Sequence, residues 1–133
     1  MSKKRIYLSS PYSSVLPNGE PDHDLMESRF RAACIAAGHL MRQGHVVFSP
    51  IAHSHPIHKA CDLPNTYEFW VEGQDLYLLE LFDELAVLML PGWEVSKGIR
   101  SEINQALTDG MDITYRRPED LGIVKGLRVD RVV

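Results

Sequence analysis

The chain has 133 residues, 44% of them hydrophobic and 24% charged, with a formal net charge of −4 and a pI near 5.8. A chain of this length accommodates one domain, which buries roughly two-thirds of its unfolded surface without a disulfide or metal staple. The acidic balance, with Lys3-Lys4-Arg5 as the only basic cluster, argues against a nucleic-acid polymer as partner. The lack of a bilayer-length apolar run or an N-terminal apolar leader argues against a membrane, and two cysteines without CxxC spacing, Cys34 and Cys61, fit a reducing cytoplasm.

Arg5-Ile6-Tyr7-Leu8-Ser9 is rich in β-formers and is followed by Ser10-Pro11, where the chain loses a backbone donor. It reads as a buried first strand that delivers Ser9, Ser10 and Tyr12 to its carboxyl end. From Tyr12 to Asp24 the chemistry is that of a loop, longer than the usual connection. Met26, Phe30, Ala33, Ala37 and Met41 then recur every three or four residues, which predicts an amphipathic helix from Leu25 to Gln43 with Gly44 as its C-terminal cap.

His45-Val46-Val47-Phe48 predicts a second strand, ending at Ser49-Pro50, and Ile51 to Pro64, without a regular period, predicts a second long loop. Asn65 and Glu68 resemble a capping box with Asn in the Ser/Thr place, opening a helix that runs to about Leu81. After Asp83-Glu84, the run from Leu85 to Leu90 predicts a central parallel strand that stops at Pro91-Gly92. Ser96 is a good N-cap for a helix with Ile99, Ile103, Ala106 and Leu107 on one face, closed by Gly110, and Met111 to Tyr115 predicts a last strand. The tail with Val129, Val132 and Val133 reads either as a fifth strand or as a docked extension.

This order predicts a single α/β domain over residues 1–133, a flavodoxin- or Rossmann-like three-layer fold with a four- or five-stranded parallel sheet. Ligands of such sheets bind beyond the carboxyl ends of the strands, so the loops after the first three strands carry the functional information. The N-terminus of the helix after Ser96 offers free N–H groups suited to a phosphate. Glu102 lies four residues beyond Gly98 at the margin of the apolar face, so its carboxylate should stand over a surface without a side chain, as a bound sugar needs. The bland alternatives are a surface glutamate favoured by the helix dipole, with Ser96 and Gly98 as a cap and a packing glycine.

His53, His55 and His58 include a His-x-His pair, but no third ligand stands at a telling spacing. No metal is expected, and the histidines read as pocket or hydrogen-bonding groups. Trp70 and Trp93 read either as stacking surfaces for a base or as core.

"IYLSSPYS" at Ile6 to Ser13, "RFRAACIAAGHLMRQGHVVFSP", Asp75 in "WVEGQDLYLL", and "DELAVLMLPGWEVSKGIRSEINQAL" from Asp83 to Leu107 together resemble the nucleoside 2-deoxyribosyltransferase-like family, which includes nucleoside 5′-monophosphate N-glycosidases. The resemblance implies that Glu102 attacks the anomeric carbon, that Asp75 assists departure of the base, and that Tyr7 stands beside the nucleophile. Ser9, Ser10, Pro11, Tyr12, Gly92, Trp93, Ser96 and Gly98 are then expected around the substrate, with Ser96 at a 5′-phosphate, and His53 is expected there as a pocket histidine. It further implies a nucleoside or nucleotide substrate, no cofactor, and a homo-oligomer, dimeric or tetrameric. The histidine-rich segment after the second strand departs from the family pattern. A module that binds a nucleotide without turning it over is the competing expectation, because fold does not fix function.

Overall fold

The computed structural model describes residues 3–124, so the alternatives for Val129, Val132 and Val133 lie outside the described residues. Four strands, β1 (Arg5–Ser9), β2 (Val46–Phe48), β3 (Glu84–Leu88) and β4 (Asp112–Arg116), form one all-parallel sheet in the order β2-β1-β3-β4. Tyr7 pairs in register with Phe48 on one side and Leu85 on the other. The helices are α1 (His23–Arg42), α2 (Pro50–Ala60), α3 (Leu76–Leu79) and α4 (Lys97–Thr108).

The two-residue period of a strand sorts the core into two layers. Ile6, Leu8, Ala86 and Leu88 pack with Ala32, Ala36 and Leu40 of α1 on one face. Tyr7, Leu85 and Val87 pack with Leu79 of α3 and with Ile99 and Ala106 of α4 on the other. The result is the expected three-layer α/β fold, and strands covered on both faces explain why β1 and β3 read as continuous apolar runs. The chain leaves β1 toward β2 and then returns past β1 to β3, so the topological switch point lies between β1 and β3.

Within the helices a step of four drifts off the 3.6-residue stripe, and the structure corrects the expectation there. Leu40, not Met41, takes the last core position of α1, and Ala106, not Leu107, that of α4; Met41 and Leu107 are exposed.

Residues 51–64 do not form one long loop, since most of this stretch belongs to α2. Ser49 Oγ accepts from the Ala52 N–H at 3.1 Å, and Pro50 occupies the first turn, where a missing N–H costs nothing. The Ser-Pro pair that ends the strand also starts a helix. Pro56 sits inside it and removes one backbone bond.

The next helix also starts differently from expectation. Thr66, not Asn65, supplies the cap, its Oγ1 accepting from the Phe69 N–H at 3.1 Å. Glu68–Asp75 is a π-helical stretch in which the Leu76 N–H reaches back five residues to the Val71 carbonyl, and only Leu76–Leu79 continues as an α-helix.

Candidate active site

Tyr7 and Ser9 stand two residues apart on β1, so both leave the sheet on the face that carries α4. In α4 the buried residues are Ile99, Glu102 and Ala106, a three-four spacing that turns Glu102 toward the sheet. The two arrays meet: Ser9 Oγ donates to Glu102 Oε1 at 2.6 Å and the Tyr7 hydroxyl donates to Glu102 Oε2. The Tyr7 ring is itself held between Phe48 and Phe82, with centroids 5.6 and 5.8 Å away. Glu102 is thus fixed in position, 4% exposed.

Burial lifts the Glu102 carboxyl to about 7, although the donors Ser9 and Tyr7 pull it down. The helix dipole does not offset this burial. Glu102 is the sixth residue of α4 and the dipole's field fades beyond the first turn, so desolvation outweighs it. Asp75, at the end of the π-helical stretch and 6% exposed, is pushed up to about 8, first by burial and then by the charge of Glu102. Burial, the charges of Glu102 and Asp75, and its bond to Glu102 raise the Tyr7 hydroxyl well above its ordinary value, so it remains a donor.

Glu84 makes the contrast clear. It is 1% exposed, and burial alone would raise it, but Thr114, Arg116 and Lys4 bind its carboxylate and bring it below the ordinary value. Glu102 has hydroxyl donors in place of cations. Both carboxyls are therefore raised, and the charge of one raises the other, so they titrate as a coupled pair that gives up its protons in separate steps.

Both carboxyls face a cavity of about 330 Å³, in the range of small-ligand sites. Of the residues anticipated from sequence, Ser10, Tyr12, Asp75, Ser96, Gly98 and Glu102 line it together. Tyr7 and Ser9 reach it only through Glu102. Ser96 Oγ caps α4 by accepting from the Ile99 N–H at 3.3 Å, and a Cβ on Gly98 would stand in ordinary contact with Val71 at 3.6 Å.

Pro11, His53, Gly92 and Trp93 are not brought to the cavity wall. His53 is exposed with its ring 5.4 Å from Phe48, and Trp93 packs 5.7 Å from Tyr115. Gly92 has a different task. Its φ of +94° is one that L side chains rarely adopt, and a Cβ there would stand 2.7 Å from Arg29 Nη2. That guanidinium donates to the carbonyls of Pro91 (2.9 Å), Tyr12 and Ser13 (3.3 Å each), and so ties the loop after β1 to the loop after β3.

Of the three histidines read as pocket or hydrogen-bonding groups, His58 stands on the wall, whereas sequence reasoning missed Ser54 and Tyr67. The signal was present once Ser49-Pro50 is read as a helix start, because Pro50, Ser54 and His58 then fall at i, i+4 and i+8 on one face. Ser10 Oγ and His58 Nδ1 are buried and without a hydrogen-bond partner, although both belong to residues of the cavity wall. Such groups are costly unless a ligand or water satisfies them.

A comparison with curated proteins finds no match. The model of the family described as a domain of unknown function, DUF1937, matches residues 4–116, and the protein belongs to that family.

Proposed function

We propose that the protein cleaves, or transfers the sugar of, the N-glycosidic bond of a nucleoside or nucleoside 5′-monophosphate. The observation that carries this reading is the pair of buried carboxyls on one cavity wall, both raised and coupled so that they ionise one at a time; in this reading Glu102 ionises first and Asp75 keeps the proton. An ionised Glu102 oxygen attacks the anomeric carbon as the bond to the base nitrogen breaks, and the bonding electrons leave with the base, which takes the Asp75 proton. Water, or an acceptor base, then attacks the same carbon, the sugar–Glu102 bond breaks, and the Asp75 carboxylate receives the incoming proton. Tyr7 and Ser9 hold the nucleophile's oxygens, and Gly98 leaves room for the sugar. Ser96 and the α4 N-terminus suit a 5′-phosphate. In the same reading the enzyme works in the cytoplasm, without a cofactor, as a homo-oligomer, which light scattering at micromolar concentration tests.

The direct experiment is incubation with a panel of nucleosides and their monophosphates followed by chromatography for free base. Wild type releases base; Glu102→Gln does not, yet binds the same compounds within about tenfold, equivalent to about 1.4 kcal/mol, because the amide changes charge and little shape. Full turnover by Glu102→Gln would remove Glu102 as the nucleophile. One observation favours a second reading: both Glu102 oxygens already accept protein hydroxyls, as suits a binding module that senses a nucleotide. Tight nucleotide binding by the wild type with no base ever released would make that reading the better one.

A further inference from the structure

Beside the carboxyl pair lies a second polar assembly that the glycosidic chemistry leaves unused. His55, on α2 and 6% exposed, has its Nδ1 2.6 Å from the Tyr12 hydroxyl and its Nε2 3.0 Å from Glu27 Oε1 of α1. The imidazole stacks on Phe30, centroids 4.2 Å apart, which fixes the plane in which both bonds are made. Lys59 Nζ also reaches Glu27 Oε1, at 3.4 Å. Of these residues only Tyr12 stands on the cavity wall.

Bond polarity can be followed along this chain. Burial alone would raise Glu27, but the bonds from His55 and Lys59 outweigh it and hold the carboxyl below its ordinary value. It is therefore an anion that only accepts, and His55 Nε2 must carry the hydrogen. In a neutral imidazole Nδ1 is then the acceptor, so the Tyr12 hydroxyl spends its proton on Nδ1. Burial and the Glu27 charge push Tyr12 up to about 12, so it keeps that proton near neutrality. Its oxygen has only lone pairs left to offer.

We propose that Glu27 and His55 are positioning residues that orient the Tyr12 hydroxyl as a fixed hydrogen-bond acceptor on the cavity wall, selecting ligands that present a hydroxyl or amino hydrogen there. The logic is that of a carboxylate that orients a histidine so that the far end of the chain has one polarity. A group built to accept a hydrogen discriminates strongly against ligands that lack it, since the acceptor is then left unpaired. The proposal deepens the nucleotide reading and rests on it for the identity of the donor.

The test has two arms. In the first, nitrogen-15 NMR of the full chain at pH 8, above the ordinary histidine range, assigns the His55 tautomer. The expected result is hydrogen on Nε2 with Nδ1 bare, whereas hydrogen on Nδ1 overturns the proposal whatever the substrate.

In the second arm, wild type and Tyr12→Phe are titrated with adenosine 5′-monophosphate, its 2′-deoxy counterpart, and purine riboside 5′-monophosphate, which lacks the exocyclic amine. Tyr12→Phe weakens binding of donor-bearing probes by about five- to tenfold and leaves one analogue untouched. The deoxy compound being untouched marks a sugar hydroxyl as the donor, and the riboside a base amine. Glu27→Gln gives a smaller loss of the same pattern and none in the Tyr12→Phe background. Equal weakening of all three probes, or of none, overturns the proposal while leaving the glycosidic reading intact. If wild type binds none of the probes, that reading fails instead and the tautomer alone decides.

Discussion

Replacing Glu102 by Gln should make the protein more stable in base and leave it unchanged in acid. The folded carboxyl stands at about 7 against an ordinary glutamate value of 4.5, so the unfolded chain releases this proton first. Below about 4.5 both states are protonated and the residue has no effect, whereas above about 7 both are ionised and the whole penalty is present. A carboxyl raised by folding therefore costs stability as pH rises. At about 1.4 kcal/mol per pH unit the penalty is about 3 kcal/mol, and with Glu102 4% exposed solvent screening does not reduce it.

Gln imitates the neutral carboxyl in shape, and Ser9 can turn its hydroxyl to meet the amide. The variant also frees Asp75 from a charged neighbour, which adds to the gain. For a chain of 133 residues the difference corresponds to a melting temperature roughly 10 °C higher than wild type at pH 9, with near-identical values at pH 4.5. Thermal unfolding followed by circular dichroism at the two pH values measures this directly. A difference between the proteins that does not change with pH, or one that favours wild type in base, refutes the claim that burial dominates at Glu102.

Other outcomes follow from the same geometry. Activity should peak between about pH 7 and 8 and fall on both sides, since Glu102 must be ionised and Asp75 protonated; a flat profile over pH 5–9 argues against the pair. Tyr7→Phe removes one of the two donors that lower Glu102, so the acidic limb of that profile should move up by about one pH unit, and an unmoved limb shows that the hydroxyl does not stabilise the anion. Gly92→Ala forces a side chain into a φ of +94° and against Arg29, and should cost about 2–3 kcal/mol in urea unfolding; a loss below about 0.5 kcal/mol means that the guanidinium moves aside freely. Ser96→Ala should cost about 1 kcal/mol of stability as a lost cap and weaken monophosphates more than nucleosides, whereas equal weakening leaves only the cap.

The elements that carry Tyr7, Ser9 and Glu102 were legible in the sequence because local and tertiary signals agree there. β1 and β3 are short apolar runs buried on both faces, and Ser96 caps a helix whose period sets Glu102 between Ile99 and Ala106. The opposite wall was not legible. His and Pro residues hide the period of α2, and Ser49-Pro50 is equally at home ending a strand or starting a helix. A π-helical turn has no sequence signature, because it differs from an α-turn only in which carbonyl each N–H reaches, so the setting of Asp75 against its neighbours could not be read from spacing. The ionisation of Glu102 was not legible for another reason. Distance along the helix favours a weak dipole effect, but the full weight of desolvation shows only when the sheet is packed against it.

The turn that ends at Asp75 also bears on how this family can diverge. An i to i+5 turn holds one residue more than an α-turn, so deletion of a single codon between Phe69 and Gln74 would let the backbone relax to ordinary spacing. Asp75 is tied through α3 to the buried Leu79 and would stay where it is. The residues ahead of the deletion would swing by about 100° around the helix axis, carrying Tyr67 and Trp70 away from their present places on the cavity wall. One short indel would thus reshape what the protein can hold and leave its two carboxyls untouched, and members of the family that differ in length at this point should differ in ligand before they differ in chemistry.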